Sequence, residues 1–331
     1  MRIGNKKGQF LLKMERLWQS TRAYALVKGE KEKDALSHAY LLLCEDERNL
    51  RALLKTFAKL LFEPASEEQT LRRNKLIDSE SFSDCLFFPE NGKKLAVEDA
   101  EKIREESTIS PVEGERKVFV LGDFAQANIQ TQNKLLKLLE EPPKGVIFLL
   151  GASSAYPVLQ TVLSRSKQLE ILPFPIEEIT LALTRIYGNK YDKQTLALCA
   201  AASGGVLGEA QSMLEGGNYK LLTESAFSLC LCDSARLPLL IKNIGETKYK
   251  KQLLSLLRLI FRDALLLKTG MQNSLLLSFE KERLNEVANL YSLPALLYAQ
   301  EAIGKAEKEV QFNAVFPQCL ELCISNIKRK I

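Results

Sequence analysis

Few side chains in this sequence combine the type and the spacing that chemistry needs. There is one histidine, His38, so zinc centres with several imidazoles and serine–histidine–aspartate systems would rest on a single ring. No cysteine, serine or acid is patterned with it, and its expected part is to set the start of a strand by packing or a backbone hydrogen bond. The seven cysteines are Cys44, Cys85, Cys199, Cys230, Cys232, Cys319 and Cys323. They are odd in number and scattered, as reduced thiols are, and the close pairs Cys230/Cys232 and Cys319/Cys323 lack zinc-ribbon spacing. Neither a metal nor a cofactor is expected. Glu140 and Glu141 resemble a paired acid, but adjacent residues on a helix do not face one another, so they should pair with basic neighbours or with a partner subunit. Ser164-Arg165 remains, a hydroxyl beside a guanidinium, and a guanidinium is suited to phosphoryl oxygens.

These residues must be positioned by a chain of 331 residues, 46% hydrophobic and 26% charged, which has ample material for packed cores and should divide into two or three units. The net charge of +5 is concentrated in residues 1–33, whose basic side chains include Lys6, Lys7, Lys13 and Arg16. Such a basic head on a neutral body argues for a solvated face or a local phosphate contact, not a surface that coats nucleic acid. The most apolar stretch, Leu253 to Leu267, is interrupted by Arg258, Arg262 and Asp263 and falls short of the ~18 apolar residues a membrane helix needs. With no apolar leader at the N-terminus either, a cytoplasmic location is expected.

In the first half, short apolar runs alternate with helical periodicity. Ala39–Leu43, Cys85–Phe88, Lys117–Leu121, Val146–Leu150 and Gln168–Leu172 read as strands covered on both faces. Between them Leu50, Leu53, Leu54, Phe57 and Leu61 share one helix face, followed by Val97–Glu106 and by Leu135, Leu138 and Leu139. This order implies a mostly parallel sheet, and the third helix must stop before Pro142 and Pro143. After Pro173 and Pro175 the pattern is helical throughout, with longer helices expected at Tyr249–Lys268, Phe279–Leu290, Leu293–Glu309 and Phe312–Lys330.

One stretch is more specific. Gln132-Asn133-Lys134-Leu135-Leu136-Lys137-Leu138-Leu139-Glu140-Glu141-Pro142-Pro143, a strand, and Thr161-Val162-Leu163-Ser164-Arg165-Ser166 together resemble the clamp-loader branch of the AAA+ ATPases. Members of that branch carry Q-N-x-L-L-K-x-L-E-E-P-P, a strand and T-I-L-S-R-C. Ser37-His38-Ala39-Tyr40-Leu41 is similar to the S-H-A-Y-L entry into their first strand. The resemblance implies an α/β plus all-α chain: an AAA+ large domain over 1–174 with a five-stranded parallel sheet and helices on both faces, a small helical lid domain over 175–233, and a helical collar domain over 234–331. It implies as partners the ATPase subunits of the loader, of the gamma/tau type, and a delta-type subunit. The sliding clamp and primed DNA would be met through the complex, and no membrane.

Departures from the family pattern concern the nucleotide. Where active members carry G-x-x-x-x-G-K-[ST], whose amides and lysine hold phosphates, this chain has Cys44, Glu45, Asp46, Glu47 and Arg48, three of them acids that would repel a triphosphate. The strand that ends Asp-Glu in hydrolysing relatives ends here in Gly122-Asp123, one acid short of the usual Mg²⁺ and water-orienting pair. The position of the lid arginine is Gly208, and Ser153 and Ser154 stand where relatives place a polar sensor. Ser164-Arg165 survives. The resemblance therefore implies a subunit without ATPase activity of its own, whose Arg165, with Ser164, acts as an arginine finger on a neighbour's nucleotide. Two other readings stay open: a divergent AAA+ ATPase with a non-standard loop, and a helical interaction protein derived from a clamp loader. Arg165 could also cap the preceding helix or pair with a surface acid.

Overall fold

The computed structural model describes residues 14–62, 66–90 and 93–331; Lys6, Lys7 and Lys13 lie outside them, while Arg16 is exposed on a described helix. The chain divides after Pro173 into two compact units.

In the first unit the apolar runs form β1 (Ala39–Cys44), β2 (Cys85–Phe88), β3 (Lys117–Leu121), β4 (Val146–Ala152) and β5 (Lys167–Ile171). They make one parallel sheet in the order β2-β3-β4-β1-β5. Every residue of β3 and β4 is buried, as an unbroken apolar run requires when both faces are covered. The fifth strand lies one residue earlier than its apolar run suggested, so Leu172 falls outside it and is exposed.

Alternate side chains sort the two faces. Ala39, Leu41, Phe119, Leu121, Phe148 and Leu150 form one core with α4 (Val97–Ser107) and α5 (Ile129–Glu140), through Ala100, Ile103, Leu135 and Leu139. Phe119 and Phe148 stack with ring centroids 5.5 Å apart. α2 (Leu50–Leu61) packs against β3 and β4 with its predicted apolar face, Leu50, Leu53, Leu54, Phe57 and Leu61, fully buried. It comes so close that a Cβ on Gly151 would lie 2.8 Å from Leu54 Cδ1, which explains glycine inside a central strand.

Two helices of this unit carry no apolar stripe: α1 (Arg22–Glu32), burying Ala23 and Val27, and α3 (Glu67–Asp78), burying Ile77. α5 begins at Asn128, whose side chain accepts a hydrogen bond from Thr131 N at 2.8 Å, a common N-cap device. It ends at Glu140, just before the prolines. A single turn, α6 (Gln160–Leu163), leads into β5.

The second unit is entirely helical between its turns: α7 (Ile176–Tyr187), α8 (Lys193–Ala202), α9 (Leu207–Gly216), α10 (Tyr219–Leu231), α11 (Leu237–Ile244), α12 (Lys250–Lys268), α13 (Lys281–Leu290), α14 (Leu293–Gln311) and α15 (Phe316–Lys328). Gly217, at φ +65°, closes α9 in the left-handed conformation that glycine adopts at least cost. The last helix begins four residues later than its periodicity suggested, because Asn313 has φ +61° and Pro317 occupies the first turn. Lys328 in α15 is buried, with Nζ donating to Cys230 O at 3.1 Å, Cys232 O at 2.6 Å and Tyr291 Oη at 3.2 Å. Its charge is thus offset by three oxygens that tie α15 to the ends of α10 and α13. Among the described residues no helix is long and apolar enough to cross a membrane.

Candidate functional site

The segment between β1 and α2 folds on itself. Glu47 N donates to Glu45 O (3.0 Å), Leu50 N to Glu47 O (3.4 Å), and Asn49 N to both Asp46 O (3.2 Å) and Asp46 Oδ1 (3.1 Å). Asn49 Nδ2 reaches Asp46 Oδ2 at 2.8 Å, and Asp46 is buried. A phosphate loop works by turning such amides outward at the start of a helix. Here they are spent on the loop's own oxygens, and a carboxylate stands at the entry to α2. Glu45, Glu47 and Arg48 are exposed, while Cys44 is buried and its thiol is pushed up to about 12 by that burial.

At the end of β3, Gly122 N donates to Phe88 O at 2.8 Å, and Asp123 takes φ +45°, ψ +56°. The Asp123 carboxyl is held above its usual range, first by burial and then by the charge of Glu47, although a hydrogen bond from Gln126 favours its ionised form. The loops after β1 and β3 thus place Glu47 and Asp123 within electrostatic reach of one another, an environment that raises the cost of bringing in further negative charge. Gly208 is buried near the start of α9, its carbonyl accepting from Ser212 Oγ at 2.8 Å, and offers no side chain to a phosphate. Ser154 Oγ accepts from Tyr156 N at 3.2 Å. All seven cysteines are free thiols, and among the described residues no cluster of three or more His, Cys, Asp or Glu could hold a metal ion.

Arg165 lies elsewhere. It follows α6 and precedes β5, at the edge of the sheet where the parallel strands begin, whereas Cys44–Arg48 and Gly122-Asp123 follow the strands' C-terminal ends. β1 alone, six residues long, separates the two edges by roughly 20 Å at ~3.3 Å per residue. The Arg165 guanidinium donates through Nη1 to Thr161 O at 2.9 Å and to Ser164 Oγ at 3.2 Å, and Nη2 lies 2.5 Å from Glu140 Oε1. Helix capping and pairing with an acid are thus both present. Together with His38, Leu139, Glu140 and Ser164, the arginine lines an open depression of about 480 Å³.

Gln132 and His38 organise this edge, the first read in the sequence only as part of a motif and the second only as the start of a strand. Gln132 is buried: its Nε2 donates to Ala127 O and to Pro157 O, both at 3.0 Å, and its Oε1 accepts from Leu159 N at 2.9 Å. It therefore clamps the segment that leads into α6 and Arg165 onto the start of α5. The motif around Gln132 was the available signal. At the far end of α5, His38 Nε2 bonds Leu139 O at 3.0 Å, while His38 O accepts from Phe148 N at 2.8 Å. The ring thus helps fix the start of β1, as expected, and also the end of α5 that carries Glu140.

Residues 19–175 match the family described as DNA polymerase III, delta subunit. Over 157 residues the chain is 28% identical to DNA polymerase III subunit delta' of Bacillus subtilis, covering 46% of this chain and 47% of that one. It is 30% identical over 125 residues to subunit tau of Escherichia coli, covering 37% and 19%. The matched stretch is less than half the length of either relative. A gamma subunit-related protein of Thermotoga maritima aligns with a TM-score of 0.39 at 17% identity, over 97% of this chain and 99% of that one. The resemblance to the clamp-loader branch read from Gln132–Pro143 and Thr161–Ser166 is borne out over the matched segment.

Proposed function

We propose that this chain is a non-catalytic clamp-loader subunit of the DNA polymerase III delta prime type. In this reading it supports ATP-driven loading of a sliding clamp onto primed DNA in the cytoplasm, and lends Arg165 to the nucleotide site of a neighbouring ATPase subunit. The observation that carries the reading is the position of Arg165 at the opposite edge of the sheet from the chain's own decayed nucleotide motifs. An arginine there is out of reach of phosphates held at the strands' C-terminal ends, where open α/β sheets bind ligands, and is available to a molecule seated against the other edge. Residues 175–233 would form the lid and 234–331 the collar that assembles with gamma/tau-type and delta-type subunits. Exposed Phe312, Val315 and Leu322 suit such assembly.

An arginine finger is worth ~10³–10⁵ in rate at the site it serves. In a loader reconstituted with its ATPase and delta-type subunits, clamp and primed DNA, Arg165→Ala is expected to lower the stimulated ATPase rate severalfold. Gel filtration should show the ring still assembled. The second reading, a structural Arg165, is favoured by its contacts with Thr161 and Glu140. An unchanged rate in an intact ring would establish it and remove the finger.

A further inference from the structure

The Arg165 guanidinium is bound between the ends of two helices. It meets a carbonyl in the last turn of α6 and the carboxylate of Glu140, the last residue of α5, and both helix ends are negative in the sense of the backbone dipole. Glu140 is not placed by chance contact. Gln132 anchors one end of α5 and His38 the other, so the carboxylate is presented from a pinned helix to a pinned loop. The pair is nevertheless accessible, with side chains 33% and 44% exposed at the rim of the open depression. A carboxylate on the guanidinium cancels the charge a finger must deliver. A phosphate arriving at Nη2 would have to expel it, because the two anions repel one another.

We infer that Glu140 is a positioning residue for Arg165, holding the finger parked until the neighbour's nucleotide displaces it, so that the charge of Glu140 sets the ATP concentration at which that site engages. This rests on the finger reading of Arg165. An ion pair this exposed is worth up to about fivefold in an equilibrium constant, which makes it exchangeable.

The test is the apparent KM for ATP of the assembled loader, with clamp and primed DNA, for the intact chain, Glu140→Gln, Arg165→Ala and the double variant. Glu140→Gln is expected to lower KM two- to fivefold with kcat unchanged, because saturating nucleotide has already displaced the carboxylate. In the Arg165→Ala background the same substitution should change nothing. Glu140→Asp, which draws the charge back by one methylene, should lower KM by a smaller factor and keeps the test decisive should the glutamine variant fail to assemble. A KM unchanged or raised by Glu140→Gln, or lowered equally without Arg165, overturns the parking role. An undiminished rate in Arg165→Ala alone marks the separate failure of the finger itself, and the parking role falls with it.

Discussion

Gln132 concentrates much of what a single side chain does for this edge of the molecule. Its amide is engaged at three points, one of them Leu159 N, immediately before the turn of α6. Gln132→Leu keeps the volume but takes the side-chain partner from two carbonyls and an amide, of which the Ala127 carbonyl is bonded in a buried place, where a lost partner costs about 1–3 kcal/mol. We expect a loss of about 1–3 kcal/mol in urea unfolding. In the assembled loader the variant should also lose part of the stimulated ATPase rate, because the segment before Arg165 is no longer clamped. A variant as stable as the original would show that Pro157 and Leu159 hold their places without it.

At the scale of the element, α2 is held along its polar side by a basic row. Arg51, Lys55 and Lys59 stand at i, i+4 and i+8 and so share one face. Arg51 takes both oxygens of Glu80, with Nε at 2.7 Å and Nη2 at 2.5 Å. Lys55 lies 2.8 Å from Glu80, and Lys59 pairs with Asp78 at 2.7 Å and also with Glu15. Burial opposes ionisation of Glu80, but its hydrogen bonds and charge pairs with Arg51 and Lys55 prevail and hold its carboxyl at about 2. A folded-state value below the unfolded one contributes stability that is present above pH ~4.3 and lost as pH falls through the folded value. Glu80→Gln should therefore cost about 1–3 kcal/mol near pH 7, and the gap from the original chain should close between pH ~5 and 2. Urea midpoints measured across that range check it; a gap independent of pH would assign the loss to packing instead.

At the scale of the whole molecule, the first unit pairs a five-stranded parallel sheet with loops after β1 and β3 that carry acids. Loop amides at Glu47, Asn49 and Leu50 donate inward, and Asp46, Glu47 and Asp123 supply negative charge in their place. A ligand that binds the folded state raises its stability by mass action. Millimolar Mg-ATP is therefore expected to leave the Tm of the isolated chain unmoved and to give no saturable heat in calorimetry. A saturable rise in Tm would restore the reading of a divergent ATPase.

The five strands, the buried stripe of α2 and the halt of α5 before Pro142 were legible because each depends on periodicity or on a backbone rule acting within a few residues. α1 and α3 were not, since each buries one or two side chains and leaves no stripe to read, although the Ser66/Gln69 capping box that opens α3 was there in the sequence. The site divides in the same way. That Cys44–Arg48 holds neither glycine nor lysine, and that Ser164 precedes Arg165, is a matter of residue identity and needs no coordinates. Which edge of the sheet carries Arg165, that Glu140 faces it across 25 positions of chain, and that His38 reaches Leu139 across 101, are consequences of strand order. These were decided only by tertiary structure, because contacts between distant segments depend on how the sheet is wound rather than on any local pattern.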